Sequence, residues 1–237
     1  MLSATQFLVL EKALSKERLS TYKNYVKNKT SESINDNIVA LYEWNSEIAG
    51  YFLELCNIYE VSLRNAIYRS IDAYDHYGIR QRQILRQSPK LREKVEELGR
   101  NATDGKIISS LHFHFWEGFL KKFFLWNSRE LHRMPLLYAY RIISFENSNK
   151  DKDLLFIIKV TKNLRVNIRN RICHHDPIFN KDLKKILKQV MWVFSKIDYD
   201  LYLVINNLYS NKIINLLNKK PIWLNLTNHN KKWAFPV

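Results

Sequence analysis

The segment Arg165-Val166-Asn167-Ile168-Arg169-Asn170-Arg171-Ile172-Cys173-His174-His175-Asp176-Pro177 gathers side chains that can move a proton or hold a phosphate. Four residues separate Arg169 from His174. Histidine exchanges a proton near neutral pH. An arginine guanidinium binds phosphate bidentately and stabilises charge developing on it. With no carboxylate pair beside them, the two suit one reaction class: metal-independent cleavage of RNA through its own 2′-hydroxyl. The nucleophile then belongs to the substrate, so no serine or cysteine is needed. The product is a 2′,3′-cyclic phosphate or its opened form, and DNA cannot follow this route.

The spacing sets a geometric condition. Five residues along a regular helix turn the chain by about 500°, which leaves the two side chains about 140° apart. Either the helix ends or distorts before His174, as Asp176-Pro177 encourages, or two copies of the chain meet across a symmetry axis. Arg165 and Arg169, Asn170 and His174, and Arg171 and His175 are each four apart and share faces. Other roles compete. His174 could serve only to satisfy the last carbonyls of a helix. Cys173 beside two histidines suggests a Cys/His nucleophile, but no other residue supports one. His112 and His114 with His174, His175 and Asp176 make a poor metal set, because alternate residues of a helix face different ways. The expectation is a site with no metal and no cofactor.

The rest of the chain must position this segment. It has 237 residues, 46% of them hydrophobic, with only five glycines and five prolines. That is enough apolar material for a core and too little punctuation for strands and tight turns, so an all-α fold in a single domain, 1–237, is expected. Apolar periodicity predicts helices over 4–26 (Phe7, Leu8, Leu14, Leu19, Tyr22), 37–77 (Leu41 to Ile71), 107–126, 129–145, 151–173 and 181–208. The aromatics of 107–126, among them Phe113, Trp116 and Phe119, have the spacing of a core face rather than of a stacking platform. Residues 79–106 read as a charged insertion (Arg80, Arg82, Arg86, Lys90, Arg92, Lys94), with Pro89 opening a short helix. From 211 the chain is an asparagine-rich tail, to be pinned by Trp223 and Trp233.

The net charge of +15 predicts a polyanionic partner, nucleic acid before a membrane surface. Lys181, Lys184, Lys185 and Lys188 fall at i, i+3, i+4 and i+7, on one helix face opposite Leu183, Leu187 and Val190. With Arg165 and Arg171 they are the expected RNA contacts, although a solvated lysine face is the commoner use of such a run. No apolar run approaches the length of a membrane span, no basic region precedes the first apolar residues, and no CxxC occurs. These features predict a cytoplasmic protein that uses neither a membrane nor a structural zinc. A short echo links Val61-Ser62-Leu63-Arg64-Asn65-Ala66-Ile67 to Val166-Asn167-Ile168-Arg169-Asn170-Arg171-Ile172.

Four stretches, in order, resemble one family. Arg169-Asn170-Arg171-Ile172-Cys173-His174-His175 is similar to the RN-x-x-x-H-H/N signature of the Abi-like (abortive infection) proteins of the HEPN superfamily. Leu41-Tyr42-Glu43-Trp44-Asn45 resembles that family's LYxWN, and Tyr59-Glu60-Val61-Ser62-Leu63-Arg64-Asn65-Ala66-Ile67 its LEVALRNAI. Phe113-His114-Phe115-Trp116-Glu117-Gly118-Phe119 resembles its FGFWxxL, with His114 in place of the usual glycine. The resemblance implies a helical HEPN bundle over about 37–208 that forms a homodimer. It implies Arg169 and His174 as the catalytic pair of an endoribonuclease in phage defence, with Asn170, His175, Glu60, Arg64 and Asn65 supporting the site. A toxin of this kind implies a restraint, an antitoxin or a regulatory RNA. The alternative is an RNA-binding HEPN protein that does not cleave.

Overall fold

In the computed structural model, residues 3–28, 33–72, 88–99, 101–129 and 150–221 are described, and every regular element among them is a helix. The all-α expectation holds. Residues 130–145 of the predicted helix over 129–145, Arg80, Arg82 and Arg86 of the insertion, and Trp223 and Trp233 of the tail lie outside the described residues. The chain divides into two compact units, residues 1–55, 166–188 and 204–237 in one, and 56–165 and 189–203 in the other.

In the first unit, α1 (Ala4–Leu14) starts at a capping box, in which the Ser3 hydroxyl accepts from the Gln6 N–H and the Gln6 side chain accepts from that of Ser3. The expected single helix over 4–26 is two helices. Ser15 adopts φ 71°, ends α1, and caps α2 (Lys16–Lys27) by accepting the Arg18 N–H. The left-handed backbone at Ser15 breaks the hydrogen-bond ladder while the apolar spacing runs on across it. The 39-residue α3 (Ile34–Asp72) gives its first part to this unit and its remainder to the other. Ile38, Leu41, Ile48, Phe52 and Leu55 form its buried stripe here, against a core that includes Leu19, Tyr22, Val26, Ile213 and Leu217. Trp44 is buried and donates its indole N–H to the Leu216 carbonyl at 2.9 Å.

In the second unit, α3 supplies Cys56, Tyr59, Leu63 and Ile67. Ser88 caps α4 (Pro89–Leu98), with Pro89 at its first position as expected, and Gly99 at φ 75° ends it. The short α5 (Asp104–Ser109) precedes the aromatic α6 (Phe113–Arg129). Phe113, Trp116 and Phe119 are buried in the core, and Phe115 is half-buried. α7 (Lys150–Leu164) packs against α6. Tyr59 is the polar centre of this core. Its hydroxyl lies 2.7 Å from the Thr161 hydroxyl, which also bonds the Ile157 carbonyl. Burial drives the Tyr59 phenol well above its ordinary range, outweighing the Thr161 bond, so it stays neutral.

α8 (Leu183–Ile197) starts two residues later than expected because Asp182 caps it, its carboxylate accepting the Lys185 N–H at 3.0 Å. It also ends sooner. Asp198 caps the next helix by accepting the Leu201 N–H at 3.0 Å, and α9 (Tyr199–Ile205) follows. α9 runs through a π-helical turn, Asn206–Ser210, into α10 (Asn211–Asn218), so the first part of the expected tail is helical.

Candidate functional site

α7 does not run straight into the opening motif. Residues Arg165–Arg169 form a π-helical turn, which widens the helix by one residue per turn before a last α-helical turn, Asn170–Cys173. Such turns are uncommon and recur at functional sites. The helix then stops. His174 has left helical geometry at φ −92°, ψ 7°, and His175 takes φ 57°. The His175 N–H donates to the Ile172 carbonyl at 2.9 Å and the Asp176 N–H to the Arg171 carbonyl at 2.7 Å. These two bonds are the Schellman closure of a helix end, with a histidine where glycine is usual, and Pro177 blocks further helix. The helix therefore ends before His174, which is one of the two conditions the Arg169–His174 spacing sets.

The left-handed backbone at His175 costs a side chain what glycine avoids. His175→Gly is expected to stabilise the protein by roughly 0.5–1 kcal/mol in denaturant unfolding. Destabilisation would mean that the His175 side chain, although exposed, holds the helix end by contacts of its own.

The loop that follows is fixed at each step. The Arg171 guanidinium donates through Nε and Nη2 to the Pro177 carbonyl, at 3.0 and 2.9 Å. The buried Asn45 carbonyl oxygen accepts the N–H groups of Ile178 (2.8 Å) and Phe179 (3.0 Å). The Phe179 ring packs against Tyr22 and Tyr25, with centroids 5.1 and 4.8 Å away. The Phe179 carbonyl accepts from Lys220 at 3.1 Å. Asn45 and Lys220 were not among the residues expected to build the site. Asn45 closes the Leu41–Asn45 stretch, but its partners are over a hundred residues away. Lys220 carried no signal beyond its charge.

Within this frame, His174 and His175 are exposed and their rings make no hydrogen bond among the described residues. Arg169 is half-buried, and its Nη1 donates to the Asn170 side-chain oxygen at 3.3 Å. No hydrogen bond joins Arg169 to His174, so a ligand would have to link them. Cys173 is exposed and free.

Arg165 belongs to the other unit, at the start of the π-helical turn. Its Nε donates to the Glu117 carboxylate at 2.6 Å, and Lys121 donates to the other oxygen at 2.7 Å. Glu117 is 1% exposed and Arg165 17%, so much of the Arg165 charge is answered inside the protein. Burial pushes the Glu117 carboxyl up, but the Lys121 and Arg165 hydrogen bonds and charges outweigh it and hold it below its ordinary value. A depressed carboxylate stabilises the fold above its unfolded pKa, and the contribution is lost as pH falls through the folded value. Glu117→Gln is expected to cost roughly 2 kcal/mol at pH 7. The gap to wild type should narrow once pH drops below about 4. A gap constant from pH 7 to 3 in urea titrations would contradict this account.

The remaining expected residues divide between the units. Glu60, Arg64 and Asn65 are in the second unit, on α3. Asn65 is exposed, Glu60 is half-buried, and the Arg64 Nε is buried with no hydrogen-bond partner among the described residues. Lys181, Lys184, Lys185 and Lys188 are in the first unit with Arg169 and His174. Lys181 precedes α8 rather than lying on it, Lys184 donates to the Asn218 side chain at 3.3 Å, and Lys185 and Lys188 are exposed. No group of three or more His, Cys, Asp or Glu among the described residues is placed to hold a metal ion, and none of the described helices is long and apolar enough to cross a membrane. Compared with family models, with curated proteins and with solved structures, the chain matches none of them. The helices and the site geometry thus define an all-α protein with a helix end that exposes His174 beyond a half-buried Arg169.

Proposed function

We propose that this chain is a metal-independent endoribonuclease of the HEPN, abortive-infection type, acting as a homodimer in phage defence. The observation that carries the reading is the end of the motif helix. It stops at Cys173 and leaves the His174 imidazole exposed, one helical turn beyond an arginine held by Asn170. In this reading Arg169 binds the scissile phosphate and steadies the charge on its oxygens. His174 moves a proton as the 2′-oxygen attacks phosphorus and the 5′-oxygen leaves. Asn170 orients Arg169, and the clamped loop keeps the helix end from fraying. The net charge of +15 favours a polyanionic substrate.

The test is cleavage of end-labelled RNA with EDTA present. Activity that survives EDTA and depends on Arg169 and His174 supports the proposal. Activity that needs a metal, or that His174→Ala retains in full, rejects it. The exposed Lys185 and Lys188 favour a second reading, an RNA-binding protein that does not cleave. That reading requires salt-dependent binding and no cleavage under any condition. An antitoxin or a regulatory RNA would be the restraint in either case.

A further inference from the structure

Lys220 lies two residues past the end of α10, and its surroundings hold it in one place. Its ammonium donates to the Phe179 carbonyl at 3.1 Å and sits 5.4 Å from the centre of the Trp44 ring. Lys184 reaches the same end of α10, donating to Asn218 at 3.3 Å. Burial and then the Lys184 charge lower the Lys220 amine from its ordinary value, and Asp182 counters only part of this. Two like charges are thus kept near one another at a cost. An ammonium has three N–H donors, and among the described residues Lys220 spends one, on Phe179. A phosphate oxygen near this pair would relieve the repulsion and take up further donors.

The place matters as well as the charge. Phe179 follows His174 by five residues, so it lies within roughly 18 Å of His174 even with the chain fully extended. Lys220 is bonded directly to Phe179, in the unit that carries Arg169 and His174. A single strand engaged at Arg169 and His174 could pass Lys220 a few nucleotides on. Resting on the ribonuclease reading, we infer that Lys184 and Lys220 form a second phosphate-binding point, which grips the RNA strand away from the bond that is cut. The simpler role, two cations at a helix C-terminus, also uses both lysines. The two roles differ in what salt does.

The experiment uses the full chain and a fluorescent single-stranded RNA with 2′-O-methyl groups throughout, which cannot be cleaved through the 2′-oxygen. Binding is measured from low to moderate salt. Removing one lysine–phosphate pairing should flatten the slope of log affinity against log salt by about 0.7. Lys220→Gln and Lys184→Gln are each expected to do so, and Lys220→Arg to keep the wild-type slope. Lys184→Gln carries the test if Lys220→Gln folds poorly. Slopes equal to wild type in both Gln variants overturn the inference, as does a wild type that does not bind the oligonucleotide. Flattened slopes in a protein that never cuts natural RNA would keep the phosphate point and reject the ribonuclease reading.

Discussion

His174→Ala is expected to slow RNA cleavage by about 10²–10⁴-fold, the usual worth of a positioned proton-transfer group. The fold should hardly notice. The His174 ring is exposed and makes no hydrogen bond among the described residues, and substitutions at such positions usually stay within about 0.5 kcal/mol. For a chain of this length that is a shift of roughly 1–2 °C in the unfolding midpoint. Arg169→Ala should cost about 10²–10³-fold, as expected when a donor to developing charge is removed. The two variants also probe the geometry. Arg169 and His174 share no hydrogen bond within one chain, and the proposed homodimer offers a second copy of each. Mixing Arg169→Ala with His174→Ala should therefore recover part of the activity. No recovery would place the working pair within one chain.

Asn45→Ala is expected to have the largest effect on stability of any single polar change near the site. One side-chain oxygen accepts two buried N–H groups, and alanine leaves both without a partner. At about 1–3 kcal/mol for each orphaned donor, the loss should be roughly 2–6 kcal/mol. The corresponding fall in the unfolding midpoint is roughly 4–24 °C. Asn45→Asp keeps the accepting oxygen and should recover most of it. Hydrogen exchange should quicken at Ile178 and Phe179 before the helix cores of the same unit. This loop begins two residues after His175, so cleavage should fall in Asn45→Ala and return in Asn45→Asp. Loss of less than about 1 kcal/mol in Asn45→Ala would mean that the loop is held by Phe179 packing alone.

The helices themselves could be read in advance, because few glycines or prolines interrupt a long apolar periodicity. The stop after Cys173 was also readable, from Asp176-Pro177. What periodicity missed were the breaks it runs across. Leu8, Leu19 and Tyr22 keep step on either side of Ser15, so two helices looked like one. The apolar stripe likewise continues past Asp198, although an aspartate ahead of a helical run is itself a capping signal. The π-helical turns at Arg165–Arg169 and Asn206–Ser210 leave the apolar periodicity on either side intact, so periodicity did not mark them. The partners of the site were hidden for a different reason. The bonds from Asn45 to Phe179, Glu117 to Arg165 and Lys220 to Phe179 join positions 41 to 134 residues apart. Arg165 and Arg171 stood out as cations for RNA, yet the structure gives each an internal acceptor.

The central claim is a reaction through the substrate's own 2′-hydroxyl, and the ends of the cut RNA record it. Purified protein should be incubated with a single RNA in EDTA, and the fragment termini identified by mass. The account predicts 2′,3′-cyclic phosphate ends, or their opened 2′- or 3′-phosphates, facing 5′-hydroxyl ends, and no cut wherever the nucleotide before the bond is 2′-deoxy. Fragments with 3′-hydroxyl and 5′-phosphate ends, or cleavage after a deoxynucleotide, would contradict it.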